Sequence, residues 1–317
     1  MERVIFIRLG MNKDDAAKIA MAALVIISVF AFATLQPVYA QDPAESISEF
    51  YATDLNEGQI AFMWLGEGRG ELAGLASAAV MVKTSQHTII IDPSNVLPSD
   101  AMNAIESLDL ILITHEHGDH FDADSTVAIH EKTGAPVVVS AGVYPILQEA
   151  IAGDKLIEML ADDVKTVNEI TVTAIPSKHP SDRPVMYLIK IDGLAVFHGS
   201  DSGFVDELND IDSEVHLAFV PAGAPSPTAS PDVAASMVRA LKPYVTVPVH
   251  GMFEEMKALE DIVGDETVMI IPSAFIVKVP AQIVPEFPFA VLVFIAAFAT
   301  ALIAFIRIKP LPICNDI

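Results

Sequence analysis

The stretch "LDLILITHEHGDH", residues 108–120, limits the possible folds of this chain more than any other. An apolar run ends at Thr114, and His115, His117, Asp119 and His120 follow within six positions. The run is too short for a helix and almost wholly apolar, which predicts a strand at Leu108 to Thr114 buried on both faces. Such a strand fixes the direction from which the next loop departs. In a tight loop, two imidazoles two residues apart can converge on one ion at about 2.0–2.1 Å. Asp119 and His120 lie slightly further along and could supply a second ion. Gly118, between His117 and Asp119, is expected to permit a turn that a side chain would hinder. Packing gives no reason for this cluster, because imidazoles and a carboxylate are costly to bury without partners.

Around that strand, apolar runs alternate with helical patterns. Strands are predicted at 59–66, 77–84, 87–93, 135–140, 168–175, 184–191, 194–198, 215–220 and 244–249. Helices are predicted near 99–107, 122–133, 142–151, 231–242 and 252–263. Many strands with interspersed helices, and no internal repeat, indicate a layered α/β protein with one core. A chain of 317 residues is long enough to bury it.

H-x-H-x-D-H, preceded by Thr114, resembles the signature of the metallo-β-lactamase superfamily. Other stretches are similar at the points where that family places its further ligands. "AIPSKHPSDRP" carries His179 after a strand, "FHGSDSGF" carries Asp201, and "VTVPVHGMF" ends a strand at His250. "IDP" at 91–93 supplies Asp92, which in the family supports the metal loop. The resemblance covers about 60–265 and is closest to the branch containing ascorbate-6-phosphate lactonase, through "LKPYVTVPVHGMF" and the helix before it. Two departures stand out. Ser200 replaces a glycine that usually precedes the bridging aspartate, and "GLAS" (74–77) replaces an early "GH", which bears on substrate contacts.

The resemblance implies a four-layer αββα sandwich holding two divalent cations, zinc first, with manganese or iron as alternatives. Site one would be His115, His117 and His179. Site two would be Asp119, His120 and His250, with Asp201 bridging. A water between the ions, its pKa lowered towards about 7, would attack an ester, lactone, phosphoester or amide. Asp119 could also pass a proton near the leaving group. Two other readings stand beside this hydrolase. One is a non-catalytic metal-binding surface module. The other is redox chemistry, which the family performs on H-x-E-x-D-H; here Glu116 sits in the spacer and His117 in the ligand place.

The termini read differently. Basic residues Arg3, Arg8, Lys13 and Lys18 precede an apolar stretch, and "VYA" ends at Ala40. That pattern predicts a secretory signal over 1–40, or an uncleaved anchor, with Met11 as a second possible start. Phe287 to Ile306 is an uncharged apolar run long enough to span a bilayer, followed at once by Arg307 and Lys309. It predicts an anchor over 285–307 and a cytoplasmic tail over 308–317. The preceding "PEFP" resembles the anchoring segments of archaeal surface proteins. The domain between, 41–284, is thereby placed outside the cell membrane, facing small molecules, lipids or envelope polymers. It carries 12 Lys and Arg against 37 Asp and Glu, a net of 12 − 37 = −25, which disfavours free nucleic acid as a partner. The one cysteine, Cys314, is in the tail, so any metal site in the domain uses nitrogen and oxygen donors.

The other polar and aromatic residues have plainer readings. His87 and His130 are expected at the surface, and His216 in packing. His198 either orients a ligand or sits at the core edge. Lys178 and Arg183 flank His179 and could grip an anionic group, although a solvated loop accounts for them too. Trp64 is expected in a strand core.

Overall fold

The computed structural model describes residues 43–66, 77–94, 96–271 and the backbone of 277–280. The expected leader, anchor and tail lie outside these residues, as do Gly74 to Ala76. Among the described residues no helix is long and apolar enough to cross a membrane.

Two seven-stranded sheets form the centre. The first contains β1 (Gln59–Trp64), β2 (Val80–Lys83), β3 (Thr88–Ile91), β4 (Leu110–Ile113), β5 (Val137–Ser140), β6 (Leu156–Met159) and β14 (Val277–Pro280), in the order β14-β1-β2-β3-β4-β5-β6. The second contains β7 (Val164–Val167), β8 (Ile170–Pro176), β9 (Val185–Ile191), β10 (Leu194–His198), β11 (Leu217–Pro221), β12 (Val245–Val249) and β13 (Val268–Met269), in the order β13-β12-β11-β10-β9-β8-β7.

Alternate residues of each strand face opposite layers. Ile89, Ile91, Leu110 and Leu112 join Tyr187, Ile189, Leu217 and Val247 in the core between the sheets. Phe62 and Phe219 meet there edge to face, with centroids 5.5 Å apart. The intervening Ile90, Ile111 and Ile113 face outward beneath α1 (Pro43–Ala52), α2 (Ser99–Ala104), α3 (Ala123–Thr133) and α4 (Tyr144–Leu147). Ala218 and Val220 of the second sheet lie beneath α5 (Pro231–Leu241) and α6 (Phe253–Val263). The layers therefore run helix, sheet, sheet, helix, the αββα order that the resemblance implies. Burial on both faces also explains why the strands read as continuous apolar runs.

Strand direction decides where function can sit. β3, β4 and β5 are parallel, as are β10, β11 and β12, and β8 runs in the same sense as β10 because each is antiparallel to β9. Their C-terminal ends open on one end of the sandwich. β14 is antiparallel to β1, so it finishes at the other end.

Several elements carry weak sequence signals. α1, β6, β7, β13 and β14 were not among the predicted elements. β7 is an exposed edge strand bearing Lys165, the kind of charged edge that discourages pairing with another chain. β13 has two residues. The helix predicted over 142–151 shrinks to one turn at Tyr144–Leu147.

Candidate metal centre

Each site residue follows the C-terminal end of a strand. Asp92 comes after β3, His115 to His120 after β4, His179 after β8, Asp201 after β10 and His250 after β12. The loop after β4 is closed by His117, whose carbonyl accepts from the N–H groups of His120 (2.9 Å) and Phe121 (2.8 Å). Gly118 is not conformationally required in it. Its φ is not positive and an added Cβ would touch nothing within 4 Å, which corrects the expectation drawn from the sequence. A glycine is needed before Asp201 at Gly199, where a Cβ would lie 2.7 Å from Pro221 Cδ. Asp92, Ser200 and His250 adopt left-handed backbone, with φ of 48°, 51° and 51°. Such strain costs roughly 1–3 kcal/mol per residue and gathers at functional sites.

The structure brings seven side chains together. His115, His117 and His179 form one group, and Asp119, His120, Asp201 and His250 another, with one donor atom of each residue within 4.8 Å of its fellows. Asp201 reaches both groups. Its Oδ1 lies 2.8 Å from His120 Nε2 and 3.0 Å from His250 Nε2, and its Oδ2 lies 3.8 Å from His179 Nε2. The His115 ring packs 4.2 Å from that of His120 and 4.8 Å from that of His179, centroid to centroid.

These residues fit a cation. His115 Nε2, His120 Nε2 and Asp201 Oδ1 are buried without hydrogen-bond partners. The short His120–Asp201 approach is close enough for an ion pair but not aligned as a hydrogen bond. His179 Nε2 and His117 Nδ1 stand 3.1 Å apart, one ring donating to the other, so these two nitrogens already converge on one point. Imidazole and carboxylate donors with no thiol suit zinc, iron or manganese.

The protonation pattern shows the same demand for positive charge. Burial disfavours charge on His120, but Asp201 and Asp92 overcome it and hold its pKa well above the usual value. His250 is likewise raised to about 9 against the cost of burial, by Asp201 and Asp119. Asp201, despite burial, is held well below the ordinary carboxylate range by His120 and His250. Asp119 is lowered, against its burial, by His250 and His120. His115 goes the other way, pushed well down by burial and then by His120, so it is neutral. Without a cation, protons on His120 and His250 balance the carboxylates.

A surrounding network holds these groups in place. Asp92 Oδ1 accepts from Thr114 N–H (2.8 Å), and Oδ2 accepts from Thr114 Oγ1 and His120 Nδ1 (both 2.7 Å). Ser226 and Thr228 hydroxyls donate to the Asp201 carbonyl at 2.8 and 2.9 Å. Glu116, a spacer in the motif, accepts from Asp182 N–H (2.9 Å) and so ties the His179 loop to the histidine loop. The sequence carried a signal for Asp92 and Thr114. Ser226, Thr228 and Glu116 act through partners 25 to 66 residues away and leave no local pattern.

The remaining residues separate cleanly. His198 is fully buried, donating to Ala78 O and accepting from Ser200 N–H, so it braces the segment before Asp201. His216 packs on Tyr244 and accepts from Ala195 N–H. His87 is not at the surface as expected. It is mostly buried, with its Nδ1 2.9 Å from Asp192 Oδ1. His130 is also partly buried and donates to Ala135 O, closing the end of α3. Arg183 is committed to Asp182 and Ala141 O. Trp64 packs against the central core and donates to Ser77 O.

A family profile described as a beta-lactamase superfamily domain matches residues 87–251, more than half of the chain and all seven clustered residues. The chain belongs to the metallo-β-lactamase superfamily. A metal-dependent hydrolase of Caldivirga maquilingensis is 32% identical over 188 residues, covering 57% of this chain and 82% of that protein. One from Pyrococcus furiosus is 30% identical over 189 residues, covering 56% and 82%. Among solved structures, a metallo hydrolase of Ignicoccus hospitalis is similar in fold, with a TM-score of 0.57 and 21% identity, covering 69% of this chain and 98% of that one.

Proposed function

We propose that this protein is a metal-dependent hydrolase with a two-cation centre, tethered to the membrane with its domain on the outer side. The observation that carries the reading is the cluster of seven nitrogen and oxygen donors from two sheets, with buried atoms that lack partners. His115, His117 and His179 would hold one cation, and Asp119, His120 and His250 the other, with Asp201 between them. Zinc is the first choice. Two such ions lower the pKa of a bound water towards about 7 and polarise an electrophilic carbonyl or phosphoryl group.

The chain's own groups do the rest. Asp201 places one oxygen towards each group of donors and would be shared by both cations. Asp119 is the clustered carboxylate with the most exposure, 17% of its side chain, so it is positioned to take a proton and return it to a leaving group. His120 and His250 would exchange their protons for a cation. Asp92 then keeps the His120 ring aimed inward.

The substrate would be an ester, lactone, phosphoester or amide. The division into leader (1–40), domain (41–284), anchor (285–307) and tail (308–317) completes the proposal, with the archaeal-type "PEFP" segment at the anchor's edge. A small molecule or an envelope component, rather than nucleic acid, fits the net charge of −24.

Elemental analysis of the purified chain, then a screen against lactones, phosphodiesters and acyl amides, tests this. Two equivalents of divalent metal with turnover are expected. Metal without any turnover would favour the non-catalytic module, and a chain that takes up no metal would end the proposal.

A further inference from the structure

Ser200 stands in left-handed backbone, φ 51°, where glycine is at ease and a side chain is strained. It is also fully buried. Its hydroxyl donates to Thr114 Oγ1 at 2.8 Å, and the Thr114 hydroxyl donates to Asp92 Oδ2 at 2.7 Å. Both hydroxyl protons are then used. His115 Nδ1 faces the same two oxygens, at 3.2 Å from Ser200 Oγ and 3.1 Å from Thr114 Oγ1. Neither oxygen has a proton left to offer, so His115 Nδ1 must be the donor. A proton is thereby fixed on Nδ1. Nε2, on the far side of the ring, is one of the buried atoms without a partner. Asp92 Oδ2 also accepts from His120 Nδ1.

We infer that the Ser200 hydroxyl is a positioning group. It flanks the chain of hydrogen bonds that runs from His115 through Thr114 to Asp92, donating to Thr114 and giving His115 Nδ1 a second acceptor, and so braces the link between one ligand of each cation site and a single carboxylate. This rests on the reading of the cluster as a metal centre. It goes further in assigning a task to Ser200, the residue that departs from the family's usual glycine. The relay presets the tautomer of His115 before any cation arrives, and it makes the orientation of His115 depend on the carboxylate that orients His120.

Two variants of the full chain test it. Ser200→Gly removes the hydroxyl and relieves the backbone, and Ser200→Ala removes the hydroxyl but keeps Cβ. Metal affinity is read by competition with a coloured chelator, using Zn2+ or Co2+ alone. The His115 tautomer is read in metal-free protein by long-range proton–nitrogen correlation on histidine labelled with nitrogen-15. Both variants should bind metal about ten- to a hundredfold more weakly, the usual effect of losing a group that buttresses a ligand. Metal-free Ser200→Gly should melt no lower than the parent. His115 should carry its proton on Nδ1 in the parent and, held by Thr114 alone, in the variants too.

Metal binding as tight as the parent's in both variants would overturn the inference. So would equal losses of metal-free stability and affinity in both, which would mark Ser200 as structural. A parent His115 protonated on Nε2 would overturn it as well. If the parent binds no cation, the metal reading fails, while the tautomer measurement still decides whether the relay exists.

Discussion

The sandwich carries a histidine–aspartate cluster at each end, and the two are built to opposite rules. At the end where β2 and β9 finish, His87 and Asp192 face each other, with Nδ1 within 3.0 Å of both carboxylate oxygens. Thr84 donates to the same carboxylate. One acid meets one imidazole and one hydroxyl, and the group joins the β2–β3 turn to the β9–β10 turn. At the other end, five imidazoles and two carboxylates are gathered and buried nitrogen and oxygen atoms are left without partners. Residue type does not separate the two ends. A polar cluster whose bonds are complete among its own members is a fastening, whereas one with inward-facing atoms left over needs a further positive charge.

The largest test of this contrast is His117→Ala, which removes one cation ligand and nothing from the far end. Bound metal should fall and turnover should drop more than about a hundredfold, beyond the cost of losing a merely buttressing group. Metal content by mass spectrometry and a rate assay check it together. Full turnover without metal would remove the distinction.

Asp92→Asn should come next. It keeps the shape but weakens the anchor shared by Thr114 and His120. Metal affinity should fall about ten- to a hundredfold, measured by chelator competition.

The pH dependence should differ between the metal-free and metal-binding forms. His250 is raised to about 9, so it binds its proton more tightly folded than unfolded. Its contribution to the stability of the metal-free chain is fully present below about 6.5 and is lost as pH rises through about 9. Denaturant unfolding of metal-free protein at pH 6 and 9.5 should therefore show lower stability at the higher pH from this group. Metal affinity should move the other way, rising up to about pH 9 as the competing protons leave. Calorimetry in buffers of different ionisation enthalpy should detect protons released on metal uptake.

The smallest effect belongs to the far end. His87→Ala should cost about 1–2 kcal/mol of stability through lost hydrogen bonds to a carboxylate, with metal content and turnover unchanged. A loss of metal in that variant would show that the two ends are coupled.

Much of the centre was legible in the sequence because its signals are local. His115, His117, Asp119 and His120 share one loop, and His179, Asp201 and His250 each follow an apolar strand of readable length. The strands buried on both faces were visible for the same reason. The edge strands β6 and β7 and the short β13 were not, because half-exposed or very short segments lack a strong apolar pattern.

The sequence by itself determined the inventory: which strands are apolar enough to stack, and which donors wait at their ends. Only the tertiary structure decided how those donors are wired. Asp201 standing between both histidine groups, His87 closing on Asp192, Ser200 bracing His115 and Thr114 bonding Asp92 join residues 22 to 105 positions apart. A side chain's hydrogen-bond partners are set by the packing of two sheets against each other, and no short stretch of sequence records that packing.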